Sequence, residues 1–509
     1  MSHIEALQCL ENEVWWGGLV EDGIIMPFGN QAITRDLTVN TTSNQGMPLL
    51  LSNKGRYVWS DTGFAYSIDN QTLKIESQSP IIVDHKGTHL QDVYKYVSEQ
   101  YFKADGKIPF KRLFTSPQYN TWIELMYDQE EEAILDYAKK IIEKGMPKGV
   151  LMIDDNWQED YGVWEFSGTR FNDPKKMVQQ IHDMGFDVML WVCPFISADS
   201  ATARDLASKN ILLKDKDGNI AIRQWWNGYS AVLDLTNPDA REWFRQRLDY
   251  LCEEYGIDGF KFDAGDARFY RDDDQTFIPE ASANDQCHYF NNLGLDFELN
   301  EFRAAWKNAG LGLAQRLCDK NHTWDNKGLA SLIPNGLAQG LLGYSFTCPD
   351  MIGGGEYLNF LDSAMDLDEE LVVRYAQCSA LFPMMQFSAA PWRVLSHENF
   401  LLCKNAAELH VKYADYIYSL AEHASKTGDP ILRHMAYQYP DGGFEHTTSQ
   451  FMLGNELLVA PVTVKGDITK EIHFPEGTWK GDDESVVNGP CAITVEAPLN
   501  RLPYYQLIK

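Results

Sequence analysis

The chain has 509 residues, 44% hydrophobic and 23% charged, which excludes a disordered, fibrous or disulfide-scaffold protein. Its 44 Lys and Arg against 73 Asp and Glu give a formal net charge of −29, so phosphate backbones and anionic lipid repel it. Aromatic residues make up 12%, enough to fill a large core and also to line a site that stacks on sugar rings.

Residues 1–105 are rich in Thr, Ser, Asn and Gly between short apolar runs (MPLLLS, YVWS, FAYSI, LKIES, PIIVD). Such runs read as the strands of an N-terminal antiparallel β-sandwich, closed by a short helix near Leu90–Phe102. The first residues, MSHIEALQCLENEVWW, lack a basic stretch followed by an apolar one and do not read as a signal peptide.

From 106 to 445 strands and helices alternate. NTWIELMY reads as a strand, and DQEEEAILDYAKKIIEKG as a helix capped by Asp128 and stopped by Gly145. GVLMIDD, DVMLWVCPF and IDGFKFD are apolar strands; DPKKMVQQIHDMG and NPDAREWFRQRLDYLCEEYG are helices between them, the second with Pro238 in its first turn. A further strand falls at 298–303 or at 311–317. A helix near 328–341, GYSFT, a helix near 368–381, MMQFS, a helix near 404–423 and DPILRHM complete the series. Eight such units over roughly 330 residues predict an α/β fold, a (β/α)8 TIM barrel with insertions; a doubly wound sheet is the alternative. Residues 446–509 lose the helical period and read as a small C-terminal β domain.

No segment offers ~18 consecutive apolar residues, so no membrane helix is expected. Nine cysteines stand singly with no CxxC pair, which argues against structural disulfides and a thiolate zinc site and favours a reducing cytoplasm.

Chemistry in such a barrel sits at the C-terminal strand ends. The residues expected there are Asp154 and Asp155, Trp191, Asp263, Asp319 and Asp350. Several acids converging on one mouth destabilise a fold unless a function uses them. Paired carboxylates are what glycoside hydrolysis needs, one as nucleophile or base and the other as acid. The same acids could hold a divalent metal, but the 12 histidines are dispersed and no HxH or HExxH occurs. A helix cap or turn is the plain alternative for most single aspartates. Asp263 differs, because it ends a buried strand with no helix to cap.

At these residues the sequence resembles glycoside hydrolase family 31. GIDGFKFDAGD is similar to the family's nucleophile strand, which implies Asp263 as nucleophile. CDKNHTWDNKGLASLIPNGLAQGLLGYSFTCPDMIGG is similar to its acid/base segment, which implies Asp319, with Trp324 five residues on. ELVVRYAQCSALFP, GDPILRHMAYQYP and QFMLGNELLVAPV resemble the late barrel and the start of the C-terminal β domain. MIDDNWQEDYGVWEF, LWVCPFIS, WWNGYSAVLDLTNP, FKFDAGD and MMQFSAAPWR look like the branch of the myogenesis-regulating glycosidase, which implies an α-galactosidase. Cys318 stands where the family's glucosidases usually have Gly, and Gln386-Phe387-Ser388 replaces their Arg-x-His after the seventh strand. Both departures weigh against a glucosidase.

The resemblance implies retaining, exo-acting hydrolysis of a terminal α-linked hexose. Asp263 attacks the anomeric carbon; Lys261, on the same strand face, is expected to hold it ionised. Asp319 protonates the leaving oxygen and then deprotonates water. Arg303 and Arg316 contact sugar hydroxyls or the nucleophile, or form surface salt bridges. Asp154 accepts hydrogen bonds from ring hydroxyls, with Asp155 and Asp350 as further binding candidates. Trp157, Trp191, Trp226 and Trp324 are candidate walls, with the core as the competing place for each. No cofactor or metal is called for. The partner is a small-molecule or oligosaccharide α-glycoside, and a homo-oligomer stays open. The alternatives are an α-glucosidase, α-xylosidase or transglycosylase on the same scaffold, or a carbohydrate-binding protein without catalysis.

Overall fold

Short, almost wholly buried parallel strands form the centre of the molecule. A computed structural model describes residues 3–29, 31–361 and 367–508. The central strands are β1 (Gln118–Asn120), β2 (Val150–Ile153), β3 (Asp187–Val192), β4 (Gly259–Phe262), β5 (Leu299–Phe302), β6 (Gln315–Arg316), β7 (Thr347–Cys348) and β8 (Gln386–Phe387). They pair in the order β7-β6-β5-β4-β3-β2-β1-β8, all in parallel. The ring closes where Met351, just beyond β7, bridges in parallel to Gln386 of β8. This is a TIM-type barrel. Helices such as Pro174–Asp183, Pro238–Tyr255 and Glu369–Ala380 cover the outside. Pro238–Tyr255 begins at Asn237, whose side chain accepts the Asp239 N–H, and ends at Gly256 with φ 77°.

The N-terminal runs form two antiparallel sheets. One orders His3–Gln8, Thr72–Ser77, Phe64–Asp69 and Ile33–Asp36; the other joins Gln45–Ser52, Arg56–Ser60 and Ile81–His85, with Trp15–Leu19 also pairing Gln45–Ser52. Ala305–Trp306, from the loop after β5, adds to the second sheet in parallel. This ties the N-terminal region to the loop after β5, two residues beyond Arg303. The C-terminal sheet has six antiparallel strands.

Several segments differ from the sequence expectation. In NTWIELMY the strand stops at Asn120, whose Oδ1 accepts the Trp122 N–H at 2.8 Å, and Trp122–Leu125 is a helical turn. Its apolar residues made it look like a strand. They pack instead as a small separate cluster in which Trp122, Ile123 and Met351 meet Tyr127 and Tyr357. The next helix runs Glu131–Glu143 with Glu130 at its start, so Asp128 does not cap it. Both undecided segments are strands, β5 and β6, and they meet through Phe302 and Gln315. The run expected at 404–423 is two helices, His397–Lys412 and Ala414–Thr427. DPILRHM leaves the barrel: Leu432–Arg433 pairs antiparallel with Phe451–Leu453 in the C-terminal sheet, so that sheet draws its first strand from upstream of 446. MMQFS supplies Gln386–Phe387, the eighth barrel strand.

Candidate active site

Successive side chains on a strand point to opposite faces. On β4, Phe260 packs on Phe297, and Phe262 packs on Phe290 and Phe302. Lys261 therefore faces the barrel interior. Its register partners are Trp191 on β3 and Glu301 on β5, so the three form one layer across the barrel. Asp263 stands just past the end of β4, at the mouth.

Three donors hold Asp263. Its Oδ1 accepts from Arg303 Nε at 2.6 Å and from the Ala264 N–H at 2.8 Å, and its Oδ2 accepts from Trp191 Nε1 at 2.9 Å. Burial would raise its pKa, but the Arg303 and Lys261 charges outweigh it and hold the carboxyl well below the usual carboxylate range. Ala264 has φ 58°, Asn156 has φ 78° and Asp350 has φ 89°. Left-handed non-glycine residues at three strand ends are the kind of local strain that clusters at functional sites.

Lys261 does not bond Asp263. Its Nζ lies 2.7 Å from Asp154 Oδ2, and both groups are buried. Its effect on Asp263 is through space, and the direct partner of Asp263 is Arg303. Beside Asp154, Asp155 accepts from Asn227 Nδ2 at 2.6 Å, the Tyr161 hydroxyl at 3.1 Å and Gln158 Nε2 at 3.3 Å. Burial and the Asp154 charge push Asp155 up to about 7. Asn227 sits at the tip of the hairpin formed by Ile222–Trp225 and Gly228–Val232, and its Oδ1 accepts the Tyr127 hydroxyl at 3.1 Å. This network fixes the hairpin, and with it Trp226, over the mouth.

Arg316 on β6 is 1% exposed and makes neither a surface bridge nor a contact with the cavity. Its Nε bonds Glu301 Oε1 at 3.1 Å; its Nη1 bonds Asp319 Oδ1 at 2.8 Å and also Asp350 Oδ1. Asp350 Oδ2 accepts the N–H groups of Lys320 at 2.7 Å and Gly355 at 3.0 Å. Burial raises Asp350 to about 7 against the opposing pull of Arg316. The glycine turn is required here: a Cβ on Gly355 would lie 2.9 Å from Asp350 Oδ1 and 3.1 Å from Asp319 Oδ1. Asp319 is the open member of the group, with its side chain 37% exposed.

A cavity of about 520 Å³ fills the mouth. Eight of the residues expected from the sequence line it: Asp154, Asp155, Trp191, Trp226, Lys261, Asp263, Arg303 and Asp319. Trp157, Arg316, Trp324 and Asp350 are not on its described wall. Trp157 lies in the core, with Nε1 donating to the Trp191 carbonyl at 2.8 Å. Trp324 donates to Asp368 Oδ2 at 2.9 Å. The wall also includes Cys318 and residues the sequence reading missed, among them Trp122, Tyr357 and the N-terminal Ser43, whose hydroxyl donates to Asp266 Oδ2 at 2.9 Å. Arg303 Nη2 pairs with that same Asp266 at 3.3 Å. Nothing in the sequence marked Ser43. Among the described residues no group of three His, Cys, Asp or Glu is arranged to hold a metal ion.

Comparison with known proteins agrees with this architecture. Residues 116–309 match the glycosyl hydrolases family 31 TIM-barrel domain, and residues 428–507 match the family 31 C-terminal domain. The mouse (Mus musculus) myogenesis-regulating glycosidase is 32% identical over 401 residues, covering 77% of this chain and 56% of that protein. Alpha-glucosidase 2 of Bacillus thermoamyloliquefaciens is 24% identical over 447 residues, covering 81% of this chain and 54% of that protein. The chain thus spans about half the length of these relatives. Among solved structures, a family 31 dextranase from Flavobacterium johnsoniae superposes with a TM-score of 0.87 at 22% identity, covering 99% of this chain and 66% of that one. With two domains of one family matched in order, over the barrel and the C-terminal sheet, the chain belongs to glycosyl hydrolase family 31.

Proposed function

We propose that the protein is a retaining, exo-acting α-glycosidase, with Asp263 as nucleophile, Asp319 as general acid/base and terminal α-galactosides as the preferred substrates. The observation that carries this reading is the contrast between two carboxyls in one cavity. Asp263 is buried and held ionised by Arg303, Lys261 and Trp191, whereas Asp319 is partly open to the cavity. Environments that divide two carboxyls in this way suit one as nucleophile and the other as proton carrier.

In the proposed reaction Asp263 bonds to the anomeric carbon as the glycosidic bond breaks, and Asp319 gives its proton to the departing oxygen. Asp319 then takes a proton from water, whose oxygen bonds to the anomeric carbon as the bond to Asp263 breaks. Asp154, paired with Lys261, has carboxylate capacity for ring hydroxyls. The cavity wall carries six acids (Glu21, Asp154, Asp155, Asp263, Asp319, Glu356) against Lys261, Arg268 and Arg303, which favours a neutral over an anionic sugar. The galactoside preference rests on the stretches shared with the myogenesis-regulating glycosidase branch and on Gln386-Phe387-Ser388 in place of Arg-x-His. A cytoplasmic setting is part of the proposal, and all nine cysteines are free.

The test is release of an aryl group from α-D-galactoside, glucoside, xyloside, N-acetylgalactosaminide and sulfoquinovoside. Turnover fastest on the galactoside is expected. Faster turnover of another sugar overturns the galactose assignment, and no turnover of any by folded protein overturns the enzyme.

A further inference from the structure

We propose that Glu301 is a positioning residue for Asp319, acting through Arg316; the inference rests on the proposed role of Asp319 as acid/base. Nothing in the sequence marked Glu301. It is buried inside the barrel on β5, in one layer with Lys261 and Trp191. An isolated carboxyl there would be costly, and such groups persist when they are paired and hydrogen-bonded.

Both oxygens of Glu301 are engaged. Oε1 meets Arg316 Nε at 3.1 Å, and Oε2 accepts from Gln386 Nε2 at 2.7 Å. Gln386 is also fixed, donating to Gln118 Oε1 at 2.9 Å and accepting from Asn120 Nδ2 at 3.2 Å. Glu301 therefore ties β5 to β6 and, through Gln386, to β8 and β1. Its ionic partner is Arg316, whose other nitrogen, Nη1, reaches Asp319 at 2.8 Å.

The guanidinium is a rigid planar fork, so fixing Nε fixes the direction of Nη1. With Oδ1 of Asp319 held by Arg316, proton exchange with the leaving oxygen falls to Oδ2. The Arg316 backbone is positioned independently, by Gln45 Nε2 donating to its carbonyl at 2.9 Å. Asp350 and the Leu317 carbonyl hold Nη1 as well, and Glu301 contributes the anchor at Nε. An amide of the same length keeps an oxygen for Arg316 Nε and turns its NH2 toward the Gln386 amide.

Two variants separate aim from charge. Glu301→Asp keeps the carboxylate but withdraws it by about 1.5 Å, one bond length, from Arg316 Nε. Glu301→Gln keeps length and an acceptor but removes the charge. kcat/KM is measured for each on an alkyl α-glycoside, whose departure needs a proton, and on the 2,4-dinitrophenyl glycoside, whose departure does not. For Glu301→Asp the alkyl substrate should lose at least about tenfold more than the dinitrophenyl substrate, as expected when a catalytic group is displaced by an ångström. Glu301→Gln should hold the ratio within about threefold of wild type, and melting curves establish that both variants fold. If Glu301→Asp affects both substrates equally, or neither, the inference is overturned while the glycosidase reading stands. If the wild type turns over no α-glycoside, both are overturned. Should Glu301→Asp not fold, a ratio shifted more than tenfold in Glu301→Gln overturns the inference and an unshifted ratio supports it.

Discussion

Arg303→Gln tests the electrostatics of the proposed nucleophile. Arg303 Nε is 2.6 Å from Asp263 Oδ1, with both side chains at most a tenth exposed. Burial raises the Asp263 pKa, and the Arg303 charge is the largest influence against it. Unit charges about 4 Å apart at an effective dielectric of ~20 interact by about 4 kcal/mol. At 1.36 kcal/mol per pH unit this corresponds to about three pH units. Lys261 and the Trp191 hydrogen bond remain in the variant, so the ionisation of Asp263 should move up by about one to three pH units. The assay is kcat/KM on an aryl α-glycoside from pH 3 to 8. In the wild type Asp263 stays ionised; in Arg303→Gln an acid limb should enter the low end of the range, so that activity lost near pH 3 is recovered by about pH 6. Arg303→Lys, which keeps the charge but not the fork, should lie between. A uniform loss at every pH, with no new acid limb, would refute the reasoning and leave Arg303 only a substrate contact. The variant also leaves Asp263 and Asp266 short of a cation, so its melting temperature should fall, as when a buried pair loses one partner.

Two further predictions follow from the walls of the cavity. Trp226 is 36% exposed and carries the Arg303 guanidinium 5.3 Å from its ring centre. Trp226→Ala should raise KM about tenfold, equivalent to about 1.4 kcal/mol of ring contact, while kcat and melting temperature change little; an unchanged KM would remove Trp226 from the binding surface. Asp155 is raised to about 7 in the folded protein, so between pH ~4 and ~7 the native state binds more protons than the unfolded chain. Its contribution to stability therefore falls as pH rises through that window, by up to about 4 kcal/mol. Asp155→Asn removes the titration, so its stability relative to wild type, from urea unfolding, should be better at pH 8 than at pH 5. A difference independent of pH would contradict the proton assignment.

Much of the barrel was legible because each strand needed only a few buried apolar residues followed by a carboxylate. VLMI before Asp154 and GFKF before Asp263 are such cases. Short strands were harder. The two-residue strand Gln315–Arg316 has no apolar position, because its Arg316 serves the buried polar network. NTWIELMY misled because one composition serves equally a strand and a packed helical turn. Within the site, strand-end aspartates could be read from sequence spacing. The partner of each could not, since Arg303 and Lys261 reach Asp263 and Asp154 from other strands or loops far apart in sequence. Hence Lys261 was rightly expected to hold Asp263 ionised, which it does through space, while its direct pairing with Asp154 went unread. Four aromatic or charged candidates (Trp157, Trp324, Arg316, Asp350) stand at or near strand ends, yet their side chains turn into packed surroundings.

The role of Asp263 is tested most directly by covalent labelling. The protein is incubated with the 5-fluoro glycosyl fluoride of whichever sugar it turns over fastest, digested, and sequenced by mass spectrometry. The account predicts one sugar adduct per chain on the peptide bearing Asp263, and none in Asp263→Asn. An adduct on Asp154, Asp319 or any other residue, or inversion to the β-anomer as first product, would contradict it.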